Sequence, residues 1–128
     1  MKLLLDTCTF LWIVQGEKSL PDTVRSTFSE PENEIYLSVI SVWEINLKYQ
    51  LGKLPLPLPP EHFVPEQREK HFITSLELTE ADILHLANLP NVHKDPFDRM
   101  LVCQAIEQAL TILTPDPLIR QYPIRSLW

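Results

Sequence analysis

Leu3-Leu4-Leu5 is a short apolar run ending at Asp6, the pattern of a buried strand. Helical spacing follows from Thr9 to Gln15 and stops at Gly16. Pro21 to Ser29 predicts a second helix, with Pro21 near its start, where a missing amide costs least. Ile35 to Val39 has strand character, and Ser41 to Leu51 predicts a helix capped by Gly52. Leu54-Pro55-Leu56-Pro57-Leu58-Pro59-Pro60 lacks amide donors at alternate positions, so it reads as a stiff extended connector that packs its leucines. A short helix from Glu61 to Lys70, weakened by Pro65, precedes a third strand from Phe72 to Leu78. Thr79 to Leu89 reads as a helix, with Thr79 and Asp82 at capping-box spacing. Asn91 to Asp95 is a polar loop, Pro96 to Ala109 a strong helix, and Thr111 to Thr114 a fourth strand. A short turn or helix from Asp116 to Gln121 leads to a last strand, Ile124 to Leu127.

Strands and helices alternate, which predicts a parallel sheet covered by helices on both faces. The chain has 128 residues, 45% of them hydrophobic, enough for one domain spanning residues 1–128 with a core of its own. No apolar run reaches the roughly 18 residues needed to span a bilayer. Met1 to Leu5 resembles the start of a secretory leader. Asp6 breaks the apolar stretch and no small-residue cleavage site follows, so these residues are read as part of the fold. Cys8 and Cys103 are far apart and have no partners at zinc spacing, so both are read as unreactive thiols of a cytoplasmic protein.

A net charge of −6 argues against a passive nucleic-acid binder, which neutralises phosphates with lysine and arginine. It leaves room for acids that work through a bound cation, and it suits a basic protein partner. Two glycines cannot build a phosphate-cradling loop, and no Gly-x-Ser-x-Gly occurs.

Four acids stand where ligands bind in open parallel sheets, beyond the carboxyl ends of strands. Asp6 ends the first strand, Glu44 lies in the helix after the second, Asp98 opens the long helix, and Asp116 follows the fourth strand. Each also fits a local role. Ser41 and Glu44 have capping-box spacing, and Asp6 could cap the helix near Thr9. Asp95-Pro96 and Asp116-Pro117 read as cap followed by proline, with Asp98 as the acid favoured in a first turn. Together they make a different pattern, because clustered carboxylates repel unless a hard divalent ion sits among them. Of the four histidines only His93 lies near these acids in sequence, and it is read as a surface side chain. Arg99 and Lys48 are the nearest cations for a phosphate contact, though Lys48 also has salt-bridge spacing to Glu44. Thr114 could orient Asp116 through its hydroxyl.

At these residues the chain resembles the PIN-domain nucleases, in particular VapC-type toxins of bacterial toxin–antitoxin pairs. Leu4-Leu5-Asp6-Thr7 looks like the family's opening strand and first acid, and Ser38 to Ile45 like its glutamate segment. His93 to Leu101 resembles the third motif, in which the helix-start acid falls on Asp98, with Asp95 as the alternative. Leu113-Thr114-Pro115-Asp116 resembles the closing Thr-x-Asp, flanked here by two prolines. The resemblance implies a three-layer α/β/α sandwich with about five parallel strands. It also implies Mg²⁺ or Mn²⁺ held by Asp6, Glu44, Asp98 and Asp116, hydrolysis of RNA, a homodimer, and an antitoxin that occludes the site. The residues alone leave two other readings open. A receiver-type Mg²⁺-binding signalling domain would need paired acids after the first strand and a lysine near a later strand end. An inactive interaction module of the same fold would not need the four acids.

Overall fold

The computed structural model describes residues 1–128. Its strands are β1 (Lys2–Leu5), β2 (Glu34–Ser38), β3 (Thr74–Leu76), β4 (Thr111–Leu113) and β5 (Arg125–Leu127). They form one sheet in the order β3-β2-β1-β4-β5, and every pairing is parallel. The helices are α1 (Thr7–Val14), α2 (Asp22–Ser29), α3 (Val39–Gln50), α4 (Pro60–Lys70), α5 (Glu80–Leu84) and α6 (Pro96–Gln108).

Alternation along each strand builds two cores. Leu3, Leu5, Ile35, Leu37 and Leu113 face one side, where Phe10 of α1, Val24 of α2, Ile45 of α3 and Phe63 of α4 close over them. Leu4 and Ile112 face the other side, against Leu101, Val102 and Ala105 of α6. Burial on both faces explains why the central strands read as unbroken apolar runs. The result is the expected three-layer α/β/α sandwich. Leu54 and Leu56 of the proline-rich stretch pack against the first core, as a stiff connector would. No helix is long and apolar enough to cross a membrane.

Several boundaries move for local reasons. Helix α1 begins at Thr7 rather than Thr9, because Asp6 caps it by accepting from the Thr9 amide at 2.8 Å. Helix α3 begins at Val39 rather than Ser41, because Ser38 is its cap. The third strand is limited to Thr74–Leu76, since Phe72 turns the chain with φ of 57°. Helix α5 gives way to a 3₁₀ turn over His85–Asn88, ahead of Pro90, whose ring disfavours helix in the residue before it. The Thr79/Asp82 capping box forms, with Asp82 fully buried.

The order of strands reverses at β1, whose two neighbours belong to opposite halves of the chain. Such switch points open a crevice at the carboxyl ends of the strands. Leu5 pairs with both Leu37 and Leu113, so the residues just beyond them, Asp6, Ser38 and Thr114, come side by side at that edge.

Candidate active site

The crevice is an open cleft of about 360 Å³ lined by Asp6, Glu44, Asp95, Asp98 and Asp116, with Thr7, Cys8, Trp12 and Lys48 among the other walls. Each acid is aimed by its own element. Asp6 is buried; its Oδ1 takes the Thr9 amide and its Oδ2 takes the Thr114 hydroxyl at 2.5 Å. Thr114 is fully buried and also accepts from the Asp116 amide at 3.0 Å. One hydroxyl thus joins the end of β1 to the loop after β4. Thr114 orients Asp116 through its backbone, not through its carboxylate, and its proton goes to Asp6.

Glu44 lies in the second turn of α3 and is 5% exposed. The expected capping box with Ser41 does not form, since the helix starts two residues earlier and its true cap is Ser38. Glu44 Oε1 instead accepts from Thr7 Oγ1 at 2.7 Å, and Oε2 meets Lys48 Nζ at 2.5 Å. Thr7 Oγ1 also lies 3.0 Å from Ser41 Oγ. A hydroxyl has one proton to give, and here it goes to the charged oxygen, leaving Ser41 to donate to Thr7. The hydrogen bond that Lys48 donates to Glu44 raises the pKa of Lys48, which stays cationic.

Asp95 caps α6, its Oδ1 accepting from the Phe97 amide at 2.8 Å and the Asp98 amide at 3.3 Å. Asp98 is then the third residue of the helix. Burial, with Asp95 and Glu44 adding repulsion, pushes its carboxyl up to about 7; His93 works against that rise. Burial likewise raises Asp6, against the hydrogen bonds from Thr114 and Thr9. Two adjacent acids that resist ionisation are what a cation in the cleft would relieve. Asp116 Oδ1 accepts from the Leu118 amide at 2.8 Å, a turn built around Pro117.

His93 is not the surface side chain read from the sequence. It is 13% exposed, with Nε2 3.0 Å from Asp116 Oδ2 and 3.1 Å from Asp98 Oδ2. The ligating atoms of these three residues lie within 4.8 Å of one another. Arg99 does not line the acidic cleft. Its Nη1 donates to the carbonyls of Pro90 and His93 and to Tyr122 Oη. Sequence reasoning missed Thr7, which stands beside Asp6, and Tyr122, which had no signal; it read Ser41 as a cap for Glu44, whereas Ser41 contacts Thr7. Cys8 borders the cleft, but burial and the charges of Asp6 and Glu44 push its thiol up to about 11, so it stays protonated and unreactive. Neither cysteine is in a disulfide.

The donors suit a hard divalent ion, because carboxylate oxygens dominate and the flanking acids need countercharge. Asp6, Glu44, Asp98 and Asp116 have carboxylates facing the same cleft, and Lys48 supplies a fixed cation at its rim.

Comparison with known proteins gives this arrangement a lineage. Over 61 residues the chain is 36% identical to Ribonuclease VapC16 of Mycobacterium tuberculosis, a stretch covering 48% of this chain and 43% of that protein. Less than half of that relative's length is therefore matched. The fold is similar to a chain of the VapBC2 structure from Rickettsia felis bound to a promoter DNA fragment, at TM-score 0.71 and 14% identity, covering 99% of this chain and 98% of that one. It is also similar to a chain of DNA-bound VapBC from Salmonella typhimurium, at TM-score 0.68 and 19% identity, covering 99% and 97%. The sequence profile of the PIN domain matches residues 3–124. The chain belongs to the PIN domain family.

Proposed function

We propose that this protein is a metal-dependent endoribonuclease, the toxin of a VapBC-type toxin–antitoxin pair. The observation that carries the reading is the convergence of Asp6, Glu44, Asp98 and Asp116 on one cleft at the switch point of the sheet. Membership of the PIN domain family and the likeness to Ribonuclease VapC16 support it. These four acids would hold Mg²⁺ or Mn²⁺. Such an ion, when bound, supplies Lewis-acid activation of water and countercharge for an in-line attack on phosphorus.

The chain's own residues prepare that chemistry. Thr114 fixes Asp6 and the Asp116 backbone, and Thr7 fixes Glu44. Lys48 offers a positive charge for an RNA phosphate once Glu44 turns to the metal. Arg99, expected from the sequence as a second phosphate contact, is better assigned to holding the loop that carries His93.

An antitoxin partner is supported by the likeness to toxins of VapBC complexes and by the net charge of −6, which suits a basic segment near the acids. A homodimer is supported by an apolar stripe along α3 and its C-cap residue. Trp43, Leu47 and Leu51 follow at four-residue spacing and stay 61%, 37% and 58% exposed. Ile83 of α5, 41% exposed, lines the same apolar groove as Trp43. The unpaired thiols support a cytoplasmic location.

The test is cleavage of a mixed RNA pool by antitoxin-free protein with Mg²⁺ or Mn²⁺, with EDTA, and with the Asp6→Asn variant. Cleavage should vanish with EDTA and with the variant. Folded, metal-loaded protein that leaves every RNA class intact would overturn the reading.

A further inference from the structure

Every polar atom of His93 has a partner. Its amide donates to Tyr122 Oη at 2.8 Å, and its carbonyl accepts from Arg99 Nη1 at 3.5 Å. Tyr122 is itself buried in the second core, so the backbone of His93 is clamped to the body of the fold. On the ring, Nδ1 lies 3.1 Å from the backbone nitrogen of Asp95. An amide N–H can only donate. Nδ1 must therefore present its lone pair, and the neutral ring carries its proton on Nε2. That proton faces Asp116 Oδ2 at 3.0 Å and Asp98 Oδ2 at 3.1 Å.

A histidine that binds a metal through one nitrogen usually donates the N–H of the other to a carbonyl or carboxylate. His93 has the opposite surroundings. Coordination through Nε2 would move the ring proton to Nδ1, against the Asp95 N–H. The same Asp95 caps α6, so its amide cannot swing away without disturbing the start of that helix.

We propose that His93 is a positioning residue and not a metal ligand: its Nε2–H bridges Asp98 and Asp116 and holds their carboxylates together, leaving their other lone pairs for the cation. The proposal rests on the metal-site reading above. It explains how an acid at the start of α6 and an acid after β4 stay paired despite their repulsion. It also gives Arg99 and Tyr122 a purpose, since they fix the ring's height above the acids.

Two measurements decide it. Two-bond ¹H–¹⁵N correlation of the His93 ring, in metal-free and Mg²⁺-loaded protein, should show a protonated Nε2 and a bare Nδ1 in both. A proton on Nδ1 in either state would overturn the proposal. Mn²⁺ affinity, followed by electron paramagnetic resonance, should fall roughly 10- to 100-fold in His93→Ala, the usual cost of losing a group that orients metal ligands. His93→Gln, whose amide N–H reaches the same place, should recover most of that loss. The spin-echo spectrum of bound Mn²⁺ should show no directly bonded imidazole nitrogen. Such a nitrogen in wild type would show that His93 is a ligand, and a glutamine variant as weak as the alanine one would overturn the positioning role. Wild type that binds Mn²⁺ but cleaves no RNA would count against the nuclease reading while leaving the role of His93 decided by these spectra.

Discussion

Asp98→Asn should stabilise the metal-free protein at neutral to alkaline pH. The Asp98 carboxyl is raised from 3.8 to about 7 by burial and by Asp95 and Glu44. For an acid raised in this way, the favourable contribution to folding is complete below the unfolded value and is lost as pH rises through about 7. At about 1.4 kcal/mol per unit, full ionisation in the folded state costs roughly 4 kcal/mol. The cleft is open and solvent screens part of that charge, and an amide must still be buried, so about 2 kcal/mol should be recovered at about pH 8. For a chain of this size that is a rise in Tm of about 6–8 °C. At about pH 5 the native carboxyl is protonated but the unfolded one is already largely ionised, so the advantage of the variant should shrink to less than half, to about 0.8 kcal/mol. The assay is thermal unfolding by circular dichroism in EDTA at both pH values. Saturating Mg²⁺ should reverse the order, since a ligand at about 100 times its Kd adds about 2.7 kcal/mol to the form that binds it. A variant less stable than wild type at the higher pH in EDTA, or a difference that ignores pH, would refute the reasoning.

Thr114→Val keeps the shape but removes the hydroxyl shared by Asp6 and the Asp116 amide; metal affinity by titration calorimetry should fall roughly 10- to 100-fold. Gln104 is fully buried, accepting from Ser38 Oγ at 2.6 Å and donating to the Glu77 carbonyl at 3.1 Å. Gln104→Leu strands both partners and should cost about 1–3 kcal/mol in urea unfolding. Ala109 ends α6 in the left-handed region with φ of 53°, so Ala109→Gly should stabilise by about 0.5–1 kcal/mol in the same assay.

The central strands were legible because helices cover both faces of the sheet, so Leu3 to Leu5 and Ile35 to Leu37 had to be apolar throughout or nearly so. Asp6 and Asp116 were legible because each follows an apolar run. The start of α3 was not. Val39 and Ile40 are β-branched and continue the strand pattern, and only the Ser38 hydroxyl, bonded to the Ile40 amide, ends it. His93 was hidden for a different reason. A histidine in a short polar loop has no periodicity to place it. Its surroundings come from Asp98, Asp116 and Tyr122, up to 29 residues away. Arg99 had a visible charge, but its charge says nothing about the carbonyls of Pro90 and His93 that occupy it.

The bond between Thr114 and Asp6 joins residues 108 positions apart. During translation, Asp6 emerges from the ribosome long before Thr114. The central strand β1 waits, with one edge bare, until β4 arrives to pair with it. A growing chain therefore carries the Asp6 carboxylate through 108 further residues before the hydroxyl that orients it is made. The cleft is complete only once these two distant residues have met. The proposed activity therefore waits on the pairing of β4 with β1, which also finishes the surface that a partner would recognise.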